Sequence, residues 1–414
     1  MGPRPPNRPL FGRPNFATLT LFAVCACLIR GVAAADGYPT FRGGPSRTGV
    51  VEGVVPRDPH IRWKFSTGEY LEHRHRLRDG AAYDWLWKGT GWTGQAVAAS
   101  AADGVPPSIF FAALDGAVYR VDSRFGDVVW RSRISRTIKG SVSVAEGKLY
   151  VGSRDGGVYG LRARDGRVVF RFATGADVDS TPIFLPDRSA PSIVFGAEDG
   201  HVYRVDSGSG ARRWATATGA SIESSPTWIE TAHGPAVVLG NERGSFAAYA
   251  VSDGARIWDF ATGDDTDATA AYSDGSLYVG AENGLFFALD AATGKETWRF
   301  RAAKGIWASA AVDEANIYFG CDDGNFYALD RATGKEKWRR ACDAPIWGSA
   351  TLAGRVLVFG DYAGKLYALD ASTGEGIWKI ALGDFIVSTP LIHENRIYIG
   401  ARSGWFYAIG DGPR

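Results

Sequence analysis

Apolar and polar residues alternate along this chain in short bursts separated by glycine turns, and one burst sets the pattern for the rest. Residues 316–338 read NIYFGCDDGNFYALDRATGKEKW. Ile317 and Phe319 mark a two-residue alternation, the period at which side chains fall on one face of a strand. Asp323-Gly324 follows, a dipeptide suited to the positive φ of a type I′ hairpin. A second strand is predicted at 326–329, a second turn at Thr333-Gly334 and a third strand around Trp338. A further strand precedes the unit at 307–312. The same string ends one step earlier at Trp298 and one step later at Trp378, a period of 40 residues. Four short antiparallel strands per repeat predict an all-β chain built of propeller blades.

The first turn glycine recurs at Gly116, Gly156, Gly200, Gly244, Gly284, Gly324, Gly364 and Gly404, which predicts eight blades. The second recurs at Gly126, Gly166, Gly210, Gly254, Gly294, Gly334 and Gly374, seven times. Each of these is followed four residues later by an aromatic: Trp130, Phe170, Trp214, Trp258, Trp298, Trp338 and Trp378. The eighth copy is cut short, and its missing strand is predicted at 61–65 around Trp63. An N-terminal strand completing the last blade closes the ring and leaves no gap between blades for another sheet to enter.

The string Ala-Leu-Asp-x-x-Thr-Gly-Lys-x-x-Trp, as at 288–298, resembles the repeat of pyrroloquinoline-quinone (PQQ) type propellers. Tyr38-Pro39-Thr40-Phe41-Arg42-Gly43-Gly44 through Gly49 is similar to that family's lead-in. The resemblance spans roughly residues 37–410 and implies an eight-bladed ring of four-stranded blades. It also implies that Trp63, Trp130, Trp214, Trp258, Trp298, Trp338 and Trp378 dock between neighbouring blades. The family includes quinoprotein dehydrogenases, BamB-type scaffolds and sensor ectodomains, so the fold does not choose a function.

Composition narrows the reading further. Hydrophobic content of 45% with 22% charged residues fits a soluble globular chain, organised as one domain over 36–410 with a short tail at 411–414. A formal charge of +1 supplies no electrostatic reason for a nucleic-acid partner. Residues 1–35 hold no acid, start with Arg4, Arg8 and Arg13, carry an apolar run over 16–29 and end in Ala33-Ala34-Ala35. That is the layout of a secretory signal peptide, with an uncleaved anchor or lipidation at Cys27 as alternatives. Its removal turns the formal charge from +1 to −3, leaves no transmembrane span and leaves two cysteines, Cys321 and Cys342. Both are expected on one face of one blade, either as a disulfide or as two thiols. Strands two apart are separated by roughly 9–10 Å, beyond the usual disulfide reach.

An insertion at 66–95 separates the closing strand from the first blade and carries Trp85, Trp87 and Trp92. It is expected to cover part of the face where the Asp-Gly turns emerge. His73 and His75 within it are spaced as metal ligands could be but read as solvated loop side chains, and the remaining histidines are scattered. Alignment of the blades places one residue at the mouth of each innermost strand: Trp92, Lys139, Asp179, Glu223, Asp267, Trp307, Trp347 and Val387. Small pairs follow, from Thr93-Gly94 and Gly140-Ser141 round to Ser388-Thr389, as a crowded axis requires. Trp92, Lys139, Asp179, Glu223, Asp267, Trp307 and Trp347 are the candidate ligand-binding residues of a central funnel. No catalytic or zinc-ligand spacing is present.

These features predict an exported, monomeric, non-enzymatic binding or scaffold propeller, periplasmic or extracellular, that takes a protein segment or small ligand at its funnel. In size and layout the chain is similar to BamB-type propellers. The alternative implied by the resemblance is a quinoprotein dehydrogenase with PQQ and Ca²⁺. Asp179, Glu223 and Asp267 would hold the cation, and Trp307 or Trp347 would stack the quinone. Against it, the adjacent cysteine pair of those enzymes is missing after residue 35.

Overall fold

The computed structural model describes residue 2 and residues 41–76, 82–90, 94–99, 107–187, 190–232 and 234–412. The chain divides into two compact units, Met1–Asp36 and Gly37–Arg414. The leader expected over 1–35 falls in the first and, apart from residue 2, lies outside the described residues.

Residues from 41 onward form an eight-bladed propeller of four-stranded antiparallel blades. Blades 1 to 7 each take four consecutive strands. Their innermost strands are Val97–Ala99, Ser143–Ala145, Ile183–Leu185, Thr227–Thr231, Ala271–Ser273, Ala311–Val312 and Thr351–Ala353. Blade 8 takes Leu391–His393, Arg396–Gly400 and Trp405–Asp411 from the end of the chain and its outer strand, Pro59–Ser66, from the beginning. The closing strand pairs antiparallel with Ile61 opposite Ile409 and Trp63 opposite Ala408. The register slips by one residue between Ile61 and Trp63, as it does at the same place in blades 1 to 7, for example between Arg120 and Val121. Such bulges twist an outer strand and blunt its free edge.

The recurring Trp and Gly answer each other across blades. The Trp63 ring lies against Gly126, where a β-carbon would come within 2.6 Å of the indole. Gly126 also needs a φ of 79°, so both the turn and the close approach require glycine. The indole N–H of Trp63 donates to Ser123 O at 3.1 Å, and that of Trp130 to Ala163 O at 3.0 Å. Trp214, Trp258, Trp298 and Trp338 repeat the bond to Val251, Ala291, Arg331 and Ala371, and Trp378 donates to Pro56 O at 2.7 Å. Inside the seams, third-strand aromatics stack on second-strand aromatics of the next blade. Phe326 meets Phe359 at 4.0 Å and Phe406 meets Phe111 at 4.0 Å, so the closing seam is packed like an internal one.

The insertion forms a hairpin, Glu69–Arg76 paired with Ala82–Lys88. Its base is tied to the first turns of blades 8 and 1: Thr67 N donates to Gly404 O at 2.8 Å and Leu114 N to Gly89 O at 2.9 Å. Cys321 is buried and Cys342 half-buried, and both are free thiols; burial pushes each up to about 12.

Candidate functional site

Seen along the axis, the channel has three layers. The middle layer is a belt of hydroxyls that stitches the innermost strands of blades 1 to 7 one to the next. Gln95 N donates to Ser141 Oγ (2.8 Å), Ser141 N to Thr181 Oγ1 (3.0 Å) and Thr181 N to Ser225 Oγ (2.9 Å). Ser225 N then donates to Thr269 Oγ1 (3.2 Å), Thr269 N to Ser309 Oγ (3.0 Å) and Ser309 N to Ser349 Oγ (2.9 Å). The small residues that the alignment attributed to crowding are therefore also hydrogen-bonding partners. In blade 1 the place is held by Gln95 rather than by Gly94, one residue later than the alignment had it.

Below the belt the lead-in segment fills the channel. Carbonyls of Pro45, Ser46, Thr48 and Gly49 accept from Trp228, Tyr272, Val312 and Leu352, one per blade from 4 to 7. Val50–Val51 then adds a parallel strand to Thr351–Ala353. Arg42 and Arg47 are fully buried. Arg42 donates to Ala310 O and Ala350 O, and Arg47 to Pro226 O and Thr181 O. Burial brings both guanidinium groups down to about 9, helped for Arg47 by the charge of Arg42, so both stay cationic at neutral pH. The plug was not anticipated; its trace in the sequence is the pair of arginines in the lead-in, at 42 and 47.

Above the belt lies the funnel. Lys139, Asp179, Glu223, Asp267, Trp307 and Trp347 line one cavity with the belt residues Ser309 and Ser349. Val387 is buried beside them. Trp92 lies outside the described residues. At the funnel floor a water centre can reach about 30 Å³, room for a water or two or for an ammonium head.

A second ring stands over the first, and the sequence reading missed it. It comes from the position two residues before each first-turn glycine: Leu114, Arg154, Glu198, Glu242, Glu282, Asp322, Tyr362 and Arg402. A repeated backbone bond seats it, as in Glu198 N to Asp177 O, Glu282 N to Asp265 O and Tyr362 N to Pro345 O. The turn glycines were used only to count blades; reading two positions back from each would have found this ring.

The two rings divide the funnel into arcs. On blades 3 to 5 carboxylates gather in two groups, Asp179 with Glu198 and Glu223, and Asp265 with Asp267 and Glu282. Within each group the oxygens lie within 4.8 Å of one another. The first group has cations of its own. Lys139 Nζ is 3.0 Å from Asp179, and Arg154 donates to both Asp179 oxygens. Burial alone would raise Asp179, but Lys139 and Arg154 outweigh it and bring the carboxyl down to about 2. Arg154 also lies 3.3 Å from Glu198, yet Glu198 is pushed up to about 8, by burial and then by the charge of Asp179, which holds the same guanidinium more closely. Burial and the same Asp179 charge raise Glu223.

The second group has no basic side chain within ion-pair distance among the described residues. Burial and its acidic neighbours raise Asp265 and Asp267, and Glu282 rises to about 7 for the same reasons. Like charges crowded in a desolvated place keep protons that they would otherwise lose.

On blades 6 to 8 the arc is aromatic. Trp307 and Trp347 stack at 5.1 Å and 16°, and the Trp347 indole N–H donates to Asp322 Oδ1 at 2.9 Å. Tyr362 packs on Trp347 at 4.4 Å and stacks on Phe385 at 4.7 Å and 11°. The Arg402 guanidinium lies 5.5 Å from the Phe385 centroid. Because the two indoles face each other, neither offers that side to a third ring. Among the described residues no slot for a flat cofactor remains between them, and the separate thiols of Cys321 and Cys342 make no adjacent disulfide to form one.

Quinohemoprotein alcohol dehydrogenase from Comamonas testosteroni superposes with a TM-score of 0.71 at 15% identity, covering 94% of this chain and 83% of that one. A europium-containing methanol dehydrogenase gives 0.71 at 13%, covering 93% and 100%. BamB from Moraxella catarrhalis gives 0.62 at 20%, covering 84% and 98%. At such identities the likeness is one of fold alone. No curated protein matches the chain. The family model described as beta-alanine-activating enzyme, beta-propeller, matches residues 96–409, and the chain belongs to that propeller family.

Proposed function

We propose that this protein is an exported, non-catalytic recognition propeller whose funnel takes a segment of a partner protein carrying a cationic side chain next to an aromatic one. The observation that carries the reading is the placement of the Asp265, Asp267 and Glu282 group, which has no basic partner among the described residues, beside the Trp307 and Trp347 stack. A lysine or arginine head relieves the carboxylate repulsion, and the neighbouring aromatic extends the stack. The plug closes the other end, so the ligand enters and leaves by the funnel mouth. The similarity to BamB in fold is in keeping with a scaffold role.

A dodecapeptide alternating lysine and tryptophan, titrated by calorimetry, tests the reading. Weaker binding in Asp267→Asn and in Trp347→Ala supports it; equal binding of the wild type and both variants overturns it. Reduction of a redox dye on adding PQQ and Ca²⁺ would replace it by the dehydrogenase reading. Export is tested separately: mass spectrometry of the protein made in a Gram-negative host is expected to show an N-terminus near Ala35 or Asp36.

A further inference from the structure

A second surface, away from the funnel, has the opposite charge. Among the described residues eight large apolar side chains remain exposed, each between 40 and 70%. All belong to blades 7, 8, 1 and 2 or to the segment leading into blade 8; blades 3 to 6 contribute none. The outer-strand positions before the docking aromatic are Val128-Val129 on blade 1, whereas they are Arg212-Arg213 on blade 3 and Glu336-Lys337 on blade 6. One-sided exposure of this kind marks an interaction surface.

Its centre is the closing seam. Phe125, at the second turn of blade 1, is 70% exposed and shares a groove of about 500 Å³ with Arg62, Arg124, Arg396 and Glu394. Ile61 and Val128 flank it in sequence. Arg396 is anchored by donating to Ser123 O at 2.6 Å across the seam, and Arg62 donates to Asp411 O at 3.1 Å. None of the three arginines has a carboxylate within ion-pair distance among the described residues. The groove is thus apolar at one end and cationic along its length, with Glu394 its single acidic lining residue.

We propose that the groove at the seam of blades 8 and 1 docks an acidic and apolar segment of a partner protein, with Phe125 as the apolar anchor and Arg62, Arg124 and Arg396 receiving its carboxylates. A second copy docked about a two-fold axis would bring the same arginines face to face, which repels it. Opposite charge across such a surface steers association, and a central aromatic carries much of the affinity.

The test uses the mature protein and a fluorescein-labelled dodecapeptide alternating leucine and aspartate, read by anisotropy. The control peptide has asparagine at every aspartate. The acidic peptide is expected to bind at least about tenfold more tightly than the control and to weaken as salt is raised. Phe125→Ser and Arg124→Glu, both at exposed side chains, are each expected to weaken it about tenfold with an unchanged Tm. Equal binding of the two peptides overturns the proposal, and so does acidic-peptide binding that survives both variants. Sedimentation showing self-association that Arg124→Glu abolishes would overturn it in favour of a second copy.

Discussion

Two carboxylate groups occupy equivalent heights in the same funnel, one shared by blades 3 and 4 and one on blade 5, and their electrostatics are opposite. In the first, Lys139 and Arg154 grip Asp179 and bring it down to about 2. In the second, no cation arrives among the described residues, and Asp265, Asp267 and Glu282 all rise. The difference comes from two ring positions on blade 2, Lys139 and Arg154, which reach forward to blade 3. A repeat can thus spend one blade's variable positions on self-neutralisation and leave the next open to an outside charge. The first group neutralises itself, and the second is the one proposed above to take the charge of a ligand.

The largest expected break comes from Lys139→Met. It removes one partner of a buried ion pair and is expected to destabilise the fold by about 3 kcal/mol in urea denaturation. If stability is unchanged, the first group is not structural. Next, Trp347→Ala is expected to weaken the lysine and tryptophan peptide by about 2 kcal/mol by calorimetry while the fold persists. Asp267→Asn removes one of three crowded acids. It is expected to leave urea stability unchanged or slightly raised while weakening the same peptide by about 1 kcal/mol. A stability loss as large as that of Lys139→Met would erase the distinction between the groups.

The smallest effect is in pH. Glu198 and Glu282 titrate in the folded state at about 8 and about 7, above their ordinary range. The folded state therefore binds more protons than the unfolded one from about pH 4.5 up to those values, and stability falls as pH rises through that window. Tm measured by calorimetry is expected to drop by a few degrees, roughly 2–4 °C, between pH 5 and pH 8. Asp179 acts in the other direction, losing its contribution as pH falls from about 4 towards 2. A Tm that rises from pH 5 to pH 8 would contradict the raised carboxyls.

Much of the fold was legible because its signals are local. Asp323-Gly324 and Thr333-Gly334 name their turns within two residues, and the 40-residue spacing from Trp298 to Trp338 counts the blades. The closing strand around Trp63 followed from the same count. The first ring was legible too, since Lys139, Asp179, Glu223, Asp267, Trp307 and Trp347 share one repeat position. The second ring was missed although it lies at an equally regular position, two residues before each first-turn glycine, because those glycines were used only to count the blades.

By itself, then, the sequence determined the blade, the number of blades, the closure and, from Lys139 round to Trp347, the first ring of residues facing the funnel, since each repeats at one place in the hairpin. Only the tertiary structure decided which of those residues neutralise one another. Arg154 meets Asp179 and Tyr362 meets Phe385 because the ring carries separate blades to one axis, where removal of water multiplies small differences in charge. The plug is the same case at longer range. Arg42 finds its carbonyls at Ala310 and Ala350. Nothing near Arg42 in the chain announces that partnership, because the closed ring alone creates the cavity it fills.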